Sequence, residues 1–182
     1  MMLAGIDGAK AGWLVVTIDD SGPRSARANL IERLDEVASD VAVVDIPIGL
    51  TDANFPDREV DRIARKRIGP RRSSVFTPPC REALSAPDYE HANAAQRAAT
   101  GKGLSKQAWM IAPKIREADQ YARVVGQDRL REGHPELAFT VLNDCRPMAA
   151  WKRTVQGAYE RRDILLSNSF PISRLARELW DE

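Results

Sequence analysis

Two aspartates stand where apolar runs end. Asp7 closes the run Met2 to Ile6 and precedes Gly8, and Asp45 closes Val41-Ala42-Val43-Val44 and precedes Ile46-Pro47-Ile48-Gly49-Leu50. Both runs read as strands, and ligands of α/β sheets collect at the carboxyl ends of strands. If the two strands are neighbours, two carboxylates face one crevice. The ordinary alternative makes Asp7 a turn residue and Asp45 a strand-ending Asx turn. Against that, the charge of Asp45 sits within hydrophobic sequence, where charges are paired or bind metal. Glu136 is a third candidate, two positions after His134 and just beyond Pro135. On local grounds it also suits the first turn of a helix, where the dipole favours an acid.

A second feature is basic. Arg58, Arg62, Arg65, Lys66, Arg67, Arg71 and Arg72 fall within fifteen residues opposed by Glu59 and Asp61 alone. Such a run either solvates a helix face or grips phosphate. The Arg71-Arg72-Ser73-Ser74 stretch after Gly69-Pro70 favours phosphate, because guanidinium and hydroxyl groups on a constrained loop suit its oxygens. Trp109 and Trp151 could stack bases, but with 6% aromatic residues they read better as core. Familiar nucleotide and nucleophile motifs are absent: no GxxxxGK[ST], no GxGxxG and no GxSxG. His91, His134, Cys80 and Cys145 show no zinc-ligand spacing.

The elements that must position these groups form a mixed α/β pattern. Met2 to Ile6 and Trp13 to Ile18 flank a Gly-bounded turn and read as a hairpin. Leu30, Ile31, Leu34, Val37 and Ala38 recur at helical spacing, which predicts a helix over 30–39. Val41 to Val44 is apolar without alternation, the pattern of a strand buried on both faces. Beyond Leu50 helices dominate. Asp52 or Asn54 caps a helix with Pro56 in its first turn, Val60, Ile63 and Ala64 inward, and a stop at Gly69-Pro70. Residues 70–88, with four prolines, read as an ordered loop. Tyr89 to Ala99 is a short helix, and Ser105 caps a long one to about Val125 that Pro113 kinks or starts. An extended piece spans Leu130 to His134, Pro135 opens a helix to Leu142, and Thr154 to Leu166 and Ile172 to Trp180 complete the pattern.

The 182 residues suit one domain, able to bury about 70% of its surface without staples. At 43% hydrophobic and 29% charged, the composition excludes a disordered chain and a membrane protein. With 27 basic against 26 acidic side chains there is no overall field toward nucleic acid or membranes, so any anion site is local. Two cysteines make no disulfide framework, and no basic segment precedes an apolar stretch at the N-terminus; the expected compartment is a reducing cytoplasm.

Five blocks follow in order, GIDGAKAGWLVV, VVDIPIGL, RIARKRIGPRRSSVFTPP, GLSKQAWMIAPKIREAD and EGHPELAFTVLN, the first starting at Gly5 and the last ending at Asn143, within a likeness that covers roughly residues 4–166. Together they resemble a domain-of-unknown-function family described as predicted RNase H-like nucleases. The resemblance implies one RNase H-like domain over 1–182, with a mixed five-stranded sheet, its first three strands antiparallel, flanking helices, and a helical insertion after the fourth strand over about 52–128. Asp7 matches the acid of the first strand, Asp45 that of the fourth, and Glu136 the glutamate of a His-Pro-Glu block. These carboxylates would hold two divalent ions, Mg²⁺ or Mn²⁺, that activate water and stabilise the leaving oxygen of a phosphodiester.

The expected activity is thus a metal-dependent nuclease or phosphodiesterase with nucleic acid as partner and no membrane. The phosphate-gripping set is Arg65, Arg71, Arg72, Ser73 and Ser74, joined by Lys10 and Lys106 of two other blocks. Members of the family continue to a closing helix with paired acids, whereas this sequence stops at Leu179-Trp180-Asp181-Glu182. One metal-site acid is therefore expected to be lacking and hydrolysis to be poor, unless a homodimer partner donates an acid or Asp163 turns inward. Two other readings compete: a binding module that kept the fold without catalysis, and an actin-like phosphotransferase, since the Asp7-Gly8 hairpin also resembles the first phosphate loop of sugar kinases.

Overall fold

The computed structural model describes residues 1–179, so Asp181 and Glu182 lie outside the described residues. The chain opens with β1 (Leu3–Ala9) and β2 (Gly12–Ile18), an antiparallel hairpin in which Ala9 faces Gly12 across Lys10-Ala11. Glycine is required at position 12, because a Cβ there would stand 2.0 Å from the Ile31 carbonyl oxygen. That carbonyl belongs to β3 (Arg27–Ile31), antiparallel to β2.

The helix predicted over 30–39 is therefore not formed. Leu30 and Ile31 pair with Leu14 and Trp13, satisfying the free edge of β2, and only a 3-10 turn, Leu34–Glu36, follows. Non-local strand pairing outweighs the local periodicity.

β4 (Val41–Val44) runs parallel to β1 with Ile6 opposite Val44, and β5 (Leu130–Glu132) runs parallel to β4. The result is a five-stranded mixed sheet in the order β3-β2-β1-β4-β5. Its inner face, including Ile6, Trp13, Val15, Val44 and Leu130, packs in one core cluster with Ala112, Ile115, Ala118 and Ala122. Each large aliphatic side chain so buried contributes about 1.5–3 kcal/mol. β4 is not buried on both faces as expected: Ala42 and Val44 are covered, but Val43 is 42% exposed on a sheet face that carries little above it. Helical cover on one side suffices for a strand whose other face opens into a groove.

Between β4 and β5 lie α1 (Glu59–Ile68), a 3-10 turn Gly69–Ser74, α2 (Arg81–Leu84), α3 (Tyr89–Thr100), α4 (Lys106–Met110) and α5 (Ala112–Val125). α6 (Pro135–Leu142), α7 (Val155–Ser167) and α8 (Ile172–Glu178) follow β5. The stretch 70–88, expected as loop throughout, thus holds a 3-10 turn and a short helix. Ser105 caps α4 by accepting from Ala108 N at 3.1 Å, and Pro113 takes its place in the first turn of α5, so the expected long helix is two. α8 lies along β3, where Glu178 Oε2 accepts from Ala28 N at 2.9 Å and Arg174 donates to the Ala26 carbonyl. No helix among the described residues is long and apolar enough to cross a membrane.

α1 starts later than the expected cap. Asp52 instead closes a turn by accepting from Asn54 N and Phe55 N, and Arg58 precedes the helix. Asp61, Ala64 and Ile68 face inward, while Val60 and Ile63 are exposed. The rotation follows from Arg58, whose side chain is only 4% exposed. It donates to Asp61 Oδ1 at 2.6 Å, to the Ile48 carbonyl at 2.8 Å, to the Gly49 carbonyl at 3.1 Å, and to Glu132 at the end of β5. Burying the carboxylate of Asp61 pushes its pKa up, and the adjacent guanidinium pulls it back. Arg58→Met should cost about 3–5 kcal/mol, as removal of the cation strands buried acids. Urea unfolding measures it, and a loss below about 1 kcal/mol would mark the cluster as an ordinary solvated one.

Candidate active site

Parallel pairing places the two aspartates together. Ile6 and Val44 are opposite one another, Asp45 N donates to the Ile6 carbonyl at 2.9 Å, and Asp7 and Asp45 are the next residues on their strands. Strand alternation sends Ile6 and Val44 into the core and turns the two acids outward. Gly8 N donates to Asp7 Oδ1 at 2.7 Å, fixing its rotamer. Both carboxylates border a cleft of about 600 Å³ whose wall also includes Lys10, Ser74, Lys114, His134 and Lys152.

The electrostatics of Asp45 reflect this position. Partial burial pushes its pKa up, the neighbouring Asp7 charge pushes in the same direction, and His134 and Lys152 pull it down. The cations are thus insufficient to offset desolvation and repulsion at Asp45.

His134 caps α6: its Nδ1 accepts from Glu136 N at 3.2 Å. An accepting Nδ1 leaves the ring proton of neutral imidazole on Nε2, which lies 3.3 Å from the Ser74 carbonyl. The 3-10 turn before Val75 therefore leans on the histidine, and Ser74 Oγ donates to the Arg71 carbonyl at 2.8 Å.

Glu136 borders the same cleft, but its carboxylate is committed elsewhere. Both oxygens accept from Arg161 Nη2, at 2.7 and 2.8 Å, in a pair buried to 5% exposure on the glutamate side. Arg161 Nη1 also donates to the Ala150 and Gly157 carbonyls. The fold brings Asp7 and Asp45 together and adds Glu136 as a neutralised wall. Among the described residues no group of three His, Cys, Asp or Glu side chains is arranged to hold a metal ion.

The basic run is used mostly for structure. Arg65 donates through Nε and Nη2 to the Val75 carbonyl, and buried Arg71 reaches the Met148 and Ala149 carbonyls with its guanidinium 4.2 Å from the centre of the Trp151 ring. Both brace the loop that carries Ser74. Arg72 and Ser73 are exposed, with Ser73 bordering a neighbouring hollow, and Lys106 stands over the Tyr89 ring. Asp163 pairs with Arg162 on the exposed face of α7 and does not turn inward.

Sequence reasoning passed over three residues of the cleft wall. Lys114 donates to the Gly12 carbonyl at 2.6 Å and lies 4.2 Å from the centre of the Trp13 ring. His134 was legible, since it stands in the same His-Pro-Glu block as Glu136. Lys152 has no local signature and arrives through the loop between α6 and α7.

Residues 5–180 match the model of the family described as protein of unknown function, DUF429. The chain belongs to this family. No curated protein matches the chain, and no solved structure does. For this DUF429 member the site is therefore argued from its own geometry.

A carboxyl whose folded pKa is raised above its unfolded value binds its proton more tightly when folded. It leaves the folded state unpenalised at low pH and weakens it as pH rises through the ordinary aspartate range toward the folded value. Asp45→Asn should accordingly raise the melting temperature at pH 7 without metal, with the gain shrinking toward zero at about pH 3, below the usual aspartate value. Equal gains at both pH values would place the cause in packing rather than charge.

Proposed function

We propose that the protein is a divalent-cation-dependent hydrolase of phosphodiesters built on an RNase H-like fold. The observation that carries this reading is the adjacency of Asp7 and Asp45 at the ends of parallel β1 and β4, facing a cleft rimmed by Lys10, Lys114 and Lys152. Two further features support it. The first three strands are antiparallel, and the helices α1 to α5 intervene between the fourth and fifth, as the nuclease resemblance implies.

The donor set suits one ion. Mg²⁺ keeps several waters and is commonly held by one or two carboxylates together with substrate phosphate oxygens, which is what Asp7 and Asp45 offer. Burial and the Asp7 charge both oppose ionisation of Asp45, and a cation held by the two carboxylates would offset the second of these. A second ion finds no comparable ligands, because Arg161 occupies Glu136. When bound, the ion would supply Lewis-acid polarisation of a phosphoryl oxygen.

The chain's own groups do the rest. Lys10, Lys114 and Lys152 attract and orient the phosphate, whose charge opposes theirs. His134 holds a proton at Nε2 and donates it as a hydrogen bond toward the leaving oxygen once the substrate replaces the long contact to Ser74. Asp45 accepts a hydrogen bond from the attacking water and so orients it, and the water's proton passes to solvent as the bond to phosphorus forms. Nucleic acid is the partner this chemistry fits, and nothing in it requires a membrane or a second copy of the chain.

The Arg161–Glu136 pair favours a second reading, a phosphate-binding module without turnover, since it removes the third carboxylate. Thermal unfolding and hydrolysis separate them. Mg²⁺ or Mn²⁺ at about 100 times its Kd should add about 2.7 kcal/mol of stability, a response lost in Asp7→Asn and Asp45→Asn. Slow cleavage of bis(p-nitrophenyl) phosphate or of nucleic acid should accompany it and fall on the order of 100-fold or more in Asp7→Asn, the scale of losing one transition-state contact. A metal response without turnover would favour the binding module. No metal response and no turnover would sink the hydrolase reading.

A further inference from the structure

Asp7 and Asp45 border two hollows. One is the cationic cleft; the other is a groove of about 550 Å³ on the open side of the sheet. Its floor is Gly5, Leu14, Val16 and Val43, its wall is Ala138 and Phe139 of α6, and it shares Asp7, Asp45, His134 and Pro135 with the cleft. The contrast is chemical. Lysines stand on one side of the carboxylate pair, among apolar groups such as Phe76 and Ile111, whereas beyond the shared rim the other side is lined by aliphatic and aromatic carbon without a charge.

We infer that the groove is the subsite for a ring-bearing group attached to the reacting phosphate, so that the substrates of this site are esters carrying an aromatic or nucleobase-like moiety beside the phosphate. The inference rests on the phosphodiester reading above and names the substrate class for it. Three observations lead to this occupant.

The groove is continuous with the carboxylates, so a group entering it is within one ester linkage of a phosphate held by the lysines. Its lining is uncharged apart from the shared rim, which rejects a second phosphate and accepts an apolar face. Gly5 supplies flat backbone at the floor, against which a planar group can lie; a Cβ there would meet nothing closer than the Val16 carbonyl oxygen at 3.9 Å. Side chains on either side of the strand, Val16 and Val43, stay partly exposed and available for contact.

The open floor at Gly5 also supplies the test. Gly5→Leu is sterically allowed by the fold, since the backbone there does not adopt a positive φ and the first added carbon meets only ordinary contact. Its side chain should fill the groove. Methyl phenyl phosphate and dimethyl phosphate carry the same charge and differ by one ring, so they isolate the subsite. Amide NMR titration in Mg²⁺ measures both affinities.

The parent should bind methyl phenyl phosphate about tenfold more tightly, a difference of 1.4 kcal/mol, with shifts at Val16 and Val43. The ratio between the two esters should fall below about threefold in Gly5→Leu, that is, to under half of the same free-energy difference. Equal affinity in the parent, or a ring preference that survives in Gly5→Leu, overturns the groove assignment while leaving the phosphodiester reading intact. If neither ester perturbs the amides around Asp7 and Asp45, both the reading and the subsite are overturned together.

Discussion

The course of the chain just past Asp45 is held by one buried guanidinium. Arg58 joins the carbonyls of Ile48 and Gly49, the acid of α1 and the acid that ends β5, and Glu132 in turn accepts from Ile48 N at 3.0 Å. The segment leaving Asp45 is thereby fastened to the neighbouring strand and to the inserted helices at once. A buried ion cluster is a weak source of net stability, because desolvating the charges costs about as much as their attraction returns. What it confers is position: hydrogen-bonding demands of one planar fork, met in a single arrangement, fix where β4 ends and how α1 is rotated.

A second fork acts the same way on the other side of the cleft. Arg161 on α7 satisfies Glu136 on α6 and two carbonyls, over the Phe139 ring at 5.6 Å. Gly157 makes that approach achievable, as a Cβ there would stand 1.9 Å from the Trp151 carbonyl oxygen. The two arginines thus neutralise acids that would otherwise crowd the site, leaving Asp7 and Asp45 as the acids that face the cleft lysines. The raised proton affinity of Asp45 reflects its burial first and the adjacent Asp7 charge second.

Where local chemistry decides structure, the sequence was readable. The hairpin, the cap at Ser105, the helix opened by Pro135 and the two aspartates after apolar runs all depend on neighbours a few residues away. The failures share a cause. Residues 30–39 carry helical spacing, yet the edge of β2 claims Leu30 and Ile31. Val41 to Val44 looked doubly buried, because four apolar residues do not say which faces have partners. Arg65 and Arg71 looked like phosphate ligands because their types suit phosphate, but backbone carbonyls from Val75, Met148 and Ala149 reach them first. Charge type is local information, whereas the partner of a charge is tertiary.

The arrangement of α8 along β3 bears on how the chain behaves among copies of itself. β3 is an outer strand, with backbone groups directed away from the sheet, and such strands recruit other chains into intermolecular ladders. Here the amide of Ala28 is taken by Glu178 and the carbonyl of Ala26 by Arg174. Two side chains one turn apart on a short helix imitate the hydrogen bonds of a sixth strand without offering a further edge of their own. The sheet ends there, and the guarding of this edge against strand addition falls to a helix that contributes little to the core.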